Sequence, residues 1–317
     1  MSDNPFKVFL NGRLLPAGEA TVGVNTVAFK YGAMVFEGIR GYWNEKEKQL
    51  FVFRLSDHSR RLEDSVQVMG LDTELSGVEF SQAVLQVLEN NAVAQHVHIR
   101  QMLYVEGDGE MFTRRPVGHA IVVIPKSGWF AGKQEGIHAC VSNWQRINDN
   151  SIPPRIKCAA NYQNGRLALL QARLDGYDCA ILLNASGKVS EEPRGCIFII
   201  RRDHIATPKI TDNILESVTR ETLITLLQDL HQKEVVERDI DRTELYLAQE
   251  VFLCGTGLEV VPVLSVDRHP VADGKPGKVT TALRDLYLNV VMGEDSRYRD
   301  WLTPLYANAK MDNASVR

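Results

Sequence analysis

Apolar and polar positions along this chain alternate between the two-residue period of strands and the three-to-four-residue period of helices, without a strict strand–helix–strand rhythm. Residues 6–15 (FKVFLNGRLL) read as a hairpin about Asn11-Gly12, a pair suited to the positive φ angles of a tight turn. GIRGYW and LFVFRL supply two further strands, after which Ser56 and Asp57 introduce a helix with Leu62, Val66 and Met69 at helical spacing. A second helix is predicted over 81–91, and strands over 97–105 and 119–125. The polar, glycine-rich KSGWFAGKQEG that follows Pro125 reads as an interdomain linker. Beyond it the pattern predicts a strand (GIHACVSNW), a helix over 162–175, and strands over 178–184 and 196–201. A helix after Glu216-Ser217, another over 243–249, the strands VFLCG and EVVPVLSV and a last helix over 278–291 complete the series. This mixed order, and the lack of a G-x-G-x-x-G turn after any strand, disfavours a dinucleotide-binding domain and points to an α+β fold.

A chain of 317 residues exceeds the usual size of one core, so two domains are expected, 1–124 and 137–317, joined by the linker 125–136. The composition, 44% hydrophobic and 24% charged, is that of an ordinary globular protein. The net charge is −4 and the basic residues are scattered apart from Arg114-Arg115 and Arg201-Arg202, which argues against a nucleic-acid partner. No basic-then-apolar leader and no apolar run of roughly 18–20 residues occurs, so a cytoplasmic protein with no membrane partner is expected. The five cysteines (Cys140, Cys158, Cys179, Cys196, Cys254) never form C-x-x-C and the histidines never form H-E-x-x-H, which indicates neither a disulfide framework nor a metal site.

Lys157, in RIKCAANY, is flanked by Ile156, Cys158 and two alanines. Taken alone, such a lysine is ordinarily a surface residue with a buried stem. Its company changes the reading. In order along the chain stand YGAMVFEGIRGYW (31–43), FRLSDHSRRLEDS (53–65), SNWQR (142–146), KCAANYQN (157–164), GYDCAILL (176–183), KVSE (188–191), ILESVTRET (214–222), ELYLAQEVFLCGTGLEVVPV (244–263) and GKPG (274–277). With these segments the chain resembles the branched-chain amino acid aminotransferase family of class IV, fold type IV pyridoxal phosphate (PLP) enzymes, over most of its length. The resemblance implies a D-amino acid aminotransferase-like fold, a smaller N-terminal α+β domain beside a larger C-terminal α/β-barrel-like domain.

It also implies roles. Lys157 is the catalytic lysine that forms the Schiff base with PLP, Glu191 the acid at the pyridine nitrogen, and Tyr162 the partner of the ring hydroxyl. Arg54, Val218, Thr219 and Thr256 are the phosphate ligands, the middle two as the opening amides of a helix. Tyr31, Phe36 and Gly38 line the substrate pocket, Gly257 and Leu258 offer amides to the α-carboxylate, Arg100 meets a distal carboxylate, and Trp129 is the loop aromatic. The chain departs from the family pattern at Glu192 and Arg194, where glycines are usual, at Glu216-Ser217, where Pro-Gly is usual, at Gly257-Leu258, where alanines are usual, and at His98, where a tyrosine is usual.

The implied activity is ping-pong exchange of an amino group between an aliphatic, branched-chain L-amino acid and 2-oxoglutarate, in a homodimer or higher homo-oligomer whose loop 106–112 reaches the neighbouring pocket. Two alternatives remain at this point: a specialised class IV aminotransferase, of secondary metabolism or with D-amino acid or (R)-amine donors, and a PLP-binding protein without turnover.

Overall fold

The computed structural model describes residues 4–126, 135–202, 204–231 and 234–306. The elements run β1 Val8–Leu10, β2 Arg13–Leu15, α1 Val27–Tyr31, β3 Met34–Asn44, β4 Gln49–Phe53, α2 Leu55–Met69, α3 Gly77–Asn90, β5 Val97–Val105, β6 Val117–Pro125 and β7 Ile137–Val141. There follow α4 Asn161–Leu174, β8 Cys179–Ile181, β9 Cys196–Arg201, β10 His204–Thr207, α5 Val218–His231, β11 Val235–Glu237, α6 Glu244–Leu247, β12 Glu250–Gly255, β13 Glu259–Val266, β14 His269–Pro270, α7 Lys278–Val291 and β15 Leu302–Pro304.

Local chemistry accounts for most boundaries. The opening hairpin turns at Asn11 and Gly12, with φ of 49° and 82°. Arg54 takes a left-handed conformation at the N-cap of α2, so Ser56 and Asp57 fall inside the first turn rather than ahead of it. α3 starts four residues before the predicted point because Ser76 and Glu79 form a reciprocal capping box. α6 is a single turn rather than a helix to 249, since Ala248 is extended and Gln249 N–H bonds the carbonyl of Ile200. β8 ends at Ile181, and the rest of the predicted strand 178–184 folds into an irregular hairpin in which Leu182 N–H bonds the carbonyl of Glu191.

Two sheets result. The first is antiparallel throughout, in the order β15-β4-β3-β5-β6-β1-β2. The second is mixed, in the order β11-β10-β9-β12-β13-β7-β8, with β14 on β13. Thus β15, near the end of the described chain, returns to the first sheet. The linker expected over 125–136 falls mostly on 127–134, outside the described residues.

Strand alternation sends the residues of β3 to opposite sides. Val35 and Ile39 join the apolar layers under α2 and α3, with Leu62, Val66 and Phe80 on one flank and Val84, Val87 and Leu88 on the other. Tyr42, on the other face, joins Phe198, Phe252, Leu283 and Tyr287, the core that seats the second sheet and α7 against the first. Phe36, Gly38 and Arg40 share that second face, and a cavity opens there.

Candidate active site

The cavity has a volume of about 320 Å³ and is lined by β3 and β5, the segment 156–162, the loop 191–196 and the turns at 215–217 and 255–257. Lys157 projects into it from a segment clipped to β3: Phe36 N–H bonds Lys157 O at 3.0 Å, and Ala159 N–H bonds Met34 O at 2.9 Å. The Lys157 amide donates to Ser65 Oγ at 3.1 Å, and Asn161 Nδ2 ties back to the carbonyls of Pro153 and Ile156. With the backbone fixed on three sides, the side chain is aimed. Its Nζ donates to Tyr162 Oη at 2.7 Å and stands 5.3 Å from the centroid of the Phe36 ring, which packs at 4.9 Å against Tyr162.

One end of the cavity holds a buried acid. Glu191 Oε1 pairs with Arg146 Nη2 at 2.7 Å, and Oε2 accepts from Leu215 N at 3.0 Å. Burial pushes the Glu191 carboxyl above the usual range, while Arg146, the Leu215 amide and Lys157 pull the other way. Arg146 is itself fixed through Nε to the carbonyl of Asn213. Behind Glu191, the fully buried Glu192 accepts from Arg194 N at 2.7 Å and Arg194 Nη2 at 3.0 Å, and it bridges Gly195. The two residues that replace family glycines therefore compensate one another inside the loop.

The other end suits an anion. α5 begins at Val218, and the first amides of a helix have no intrahelical acceptor, so those of Val218 and Thr219 are donors at the positive end of the helix dipole. Arg61 reaches the same place, donating through Nη1 to Glu216 O at 2.7 Å. Its other edge forms a two-point pair with Glu37, Nε to Oε1 at 2.7 Å and Nη2 to Oε2 at 2.8 Å. His58 Nδ1 lies 2.7 Å from Glu37 Oε2; because a carboxylate only accepts, Nδ1 carries the proton. Burial would raise the Glu37 carboxyl, but Arg61 and His58 together outweigh it and hold the group far below the usual range. Burial also lowers the His58 imidazole, against the upward pull of Glu37.

The geometry sorts the sequence-derived residues. Lys157, Tyr162, Glu191, Thr256, Phe36, Gly38, Arg100 and Gly257 line one cavity. Val218 and Thr219 are buried at its edge. Arg54 is not among the lining residues: its guanidinium is engaged by Asp57, Glu221 and Thr222 and lies over Trp301. The Leu258 side chain points into the core, which leaves its amide as the group on offer. Tyr31 is exposed at the end of α1 and is not among the lining residues, and Trp129 lies outside the described residues. His98 also lines the cavity, its ring on Gly38 so closely that a Cβ there would meet Cε1 at 3.0 Å. Burial, with help from Arg100 and Arg40, pushes this imidazole down to about 3, so it is neutral.

Sequence reasoning assigned no role to Arg61, Glu37, His58 or Arg146. A signal existed for two of them: His58 and Arg61, with Ser65, sit at helical spacing on α2, beside the apolar stripe of Leu62 and Val66, and so face β3 with it. For Arg146, in an irregular segment, no periodicity could have indicated it.

These residues fit pyridoxal 5'-phosphate by the chemistry of the donors: an amine held by a phenol, a buried carboxylate at one end, and helix amides with an arginine at the other. Among the described residues, no group of three His, Cys, Asp or Glu side chains could hold a metal ion, and no helix is long and apolar enough to cross a membrane. Residues 34–266 match the amino-transferase class IV family. The chain is 38% identical over 301 residues to a probable branched-chain-amino-acid aminotransferase of Aquifex aeolicus, covering 94% of this chain and 96% of that protein. The PLP form of the branched-chain amino acid aminotransferase from Thermobaculum terrenum superposes with a TM-score of 0.91 at 42% identity, over 96% of this chain and 100% of that one. The branched-chain aminotransferase from the thermophilic archaeon Thermoproteus uzoniensis, solved with norvaline, gives a TM-score of 0.90 at 38% identity, over 95% and 99%. The fold, the cavity and these relatives agree: the chain belongs to the class IV aminotransferases and, within them, to the PLP-dependent branched-chain amino acid aminotransferases.

Proposed function

We propose that this enzyme moves an amino group between a branched-chain L-amino acid and 2-oxoglutarate in two half-reactions at one site, with Lys157 as the catalytic residue. The observation that carries the assignment is the Lys157 amine held at 2.7 Å by Tyr162 in the same cavity as the buried Glu191. When bound, PLP supplies an electron sink that lowers the cost of removing the α-proton. Lys157 would hold the cofactor through Nζ and, as a free amine, would carry the proton that leaves the substrate α-carbon. Glu191, fixed by Arg146 and the Leu215 amide, would pair with the pyridine nitrogen, and Tyr162 Oη would bond the ring hydroxyl.

The amides of Val218 and Thr219, the Thr256 hydroxyl and Arg61 would hold the phosphate. Arg61 takes the place first expected of Arg54, because it alone of the two lines the cavity. Phe36 and Gly38 form the wall behind the reacting carbon, the amides of Gly257 and Leu258 receive the α-carboxylate, and Arg100, 5.3 Å above the Phe36 ring, meets the distal carboxylate of glutamate. A homodimer is proposed on the exposed Phe29, Met111 and Phe112, carried by α1 and a loop that Lys30 joins to it through Asp108. A cytoplasmic setting fits five unpaired thiols.

Initial rates with L-leucine and 2-oxoglutarate test the reading. Parallel double-reciprocal lines are expected, and intersecting lines, or no turnover of this pair, contradict it.

A further inference from the structure

The hairpin joining β12 to β13 pairs Gly255 with Glu259 across three residues, Thr256, Gly257 and Leu258. Three-residue hairpin loops commonly combine a type I turn with one residue in the left-handed region, where glycine is the default. Here the left-handed residue is Glu259, which follows the loop and opens β13, at φ 60°. A residue with a Cβ stays there only when its surroundings over-determine it, and such residues gather at functional sites.

The surroundings are specific. Glu259 Oε1 accepts from Arg40 Nη2 at 3.2 Å and from Tyr42 Oη at 3.1 Å, and Tyr42 Oη lies 3.4 Å from Tyr287 Oη of α7. Arg40 is only 3% exposed, and its Nε and Nη1 are buried without a hydrogen-bond partner among the described residues. A buried cation with two unmet donors is costly, and Glu259 is the carboxylate that offsets its charge. Burial pushes the phenols of Tyr42 and Tyr287 up, which keeps Tyr42 a donor. On its other side the turn is pinned by Leu258, buried in the core of the second sheet. Between these two anchors Thr256 and Gly257 face the cavity. Arg40 and Tyr42 lie on β3, the strand that also carries Phe36 and Gly38, so the same strand sets the cavity wall and the pitch of the opposing turn.

We infer that Arg40, Tyr42 and Glu259 are positioning residues: they clamp the Thr256–Leu258 turn at the angle at which its amides meet the substrate carboxylate. The inference rests on the proposed assignment of those amides. None of the three acts as a catalytic residue.

The test uses the holoenzyme with two variants. Glu259→Gly keeps the left-handed backbone without strain and removes the tether; Tyr42→Phe keeps the ring and leaves the Arg40–Glu259 pair in place, removing only the hydroxyl that meets Glu259 and Tyr287, so it folds even where the first does not. Three quantities are measured: the Kd of 4-methylvaleric acid, which is the leucine skeleton without its amine, by calorimetry; KM and kcat for L-leucine and 2-oxoglutarate; and the thermal midpoint. The clamp predicts that Glu259→Gly raises the Kd and both KM values by a shared factor of about 5–30, and Tyr42→Phe by about 2–5, with kcat changed less. Wild-type Kd and KM in both variants overturn it, even if the thermal midpoint falls, because a purely structural pair would lower stability alone. If the wild type fails to turn over this substrate pair, the proposed reaction is at fault, while the Kd measurement still decides the clamp.

Discussion

Replacing Glu37 by glutamine removes a charge at the centre of the buried layer between β3 and α2 without changing its volume. Glu37 has no exposed surface, binds Arg61 at two points and contacts His58 at 2.7 Å. Its loss leaves Arg61 buried against a neutral amide, a change that costs about 3–5 kcal/mol when one partner of a buried pair is removed. For a chain of this length about 2 °C accompanies each kcal/mol, so the thermal midpoint should fall by about 6–10 °C. The pH dependence follows from the sign of the shift. Because the folded carboxyl is held below its ordinary value, its contribution is complete above the unfolded value of about 4.3 and is lost only as pH falls below that. The gap between wild type and variant should therefore be flat from pH 8 to pH 5 and narrow in acid. Calorimetric melts across this range measure it. A variant within about 2 °C of wild type, or a gap that shrinks between pH 8 and 5, refutes the reasoning.

Other expectations are briefer. Glu191→Gln should slow the half-reaction with L-leucine by about 100-fold or more, seen as slower loss of cofactor absorbance in stopped flow, since a fixed charge opposite developing charge is among the larger catalytic terms. Arg61→Met should weaken cofactor binding by at least about 10-fold while Arg54→Ala leaves it within about 3-fold, judged by equilibrium dialysis, because a charge-assisted phosphate contact contributes about 1.5–3 kcal/mol; the reverse order would restore Arg54 as the phosphate ligand. Arg100→Met should raise KM for 2-oxoglutarate by about 10-fold and that for the 2-oxo acid of leucine much less, because only the former carries a second carboxylate.

How much of this was legible in the chain depended on whether a residue's role was local. The hairpin at Asn11-Gly12, the strands β5 and β6, the GIRGYW half of β3 and the helices α2, α4, α5 and α7 followed from periodicity and turn chemistry; β3 is buried along both faces, so no alternation marks its start at Met34. β15, three residues long, could not follow from them, because it exists only through pairing with β4 some 250 positions earlier. At the site, Lys157 and Glu191 were found through ordered motifs, not from their own surroundings. Arg54 and Arg61 lie seven residues apart, about two helical turns, and only the packing of α2 on β3 decides which guanidinium reaches the cavity. Glu192 and Arg194 looked like isolated departures in the sequence and prove to be a mutual pair.

The central claim, that Lys157 is the residue that binds the cofactor and does the chemistry, is tested most directly by trapping the bond. The holoenzyme is reduced with borohydride, digested and analysed by mass spectrometry for a phosphopyridoxyl group. The account predicts a single modified peptide carrying the group on Lys157, and none in Lys157→Ala. A group found on another lysine, or an unmodified Lys157 in a protein that still binds pyridoxal phosphate, would contradict it.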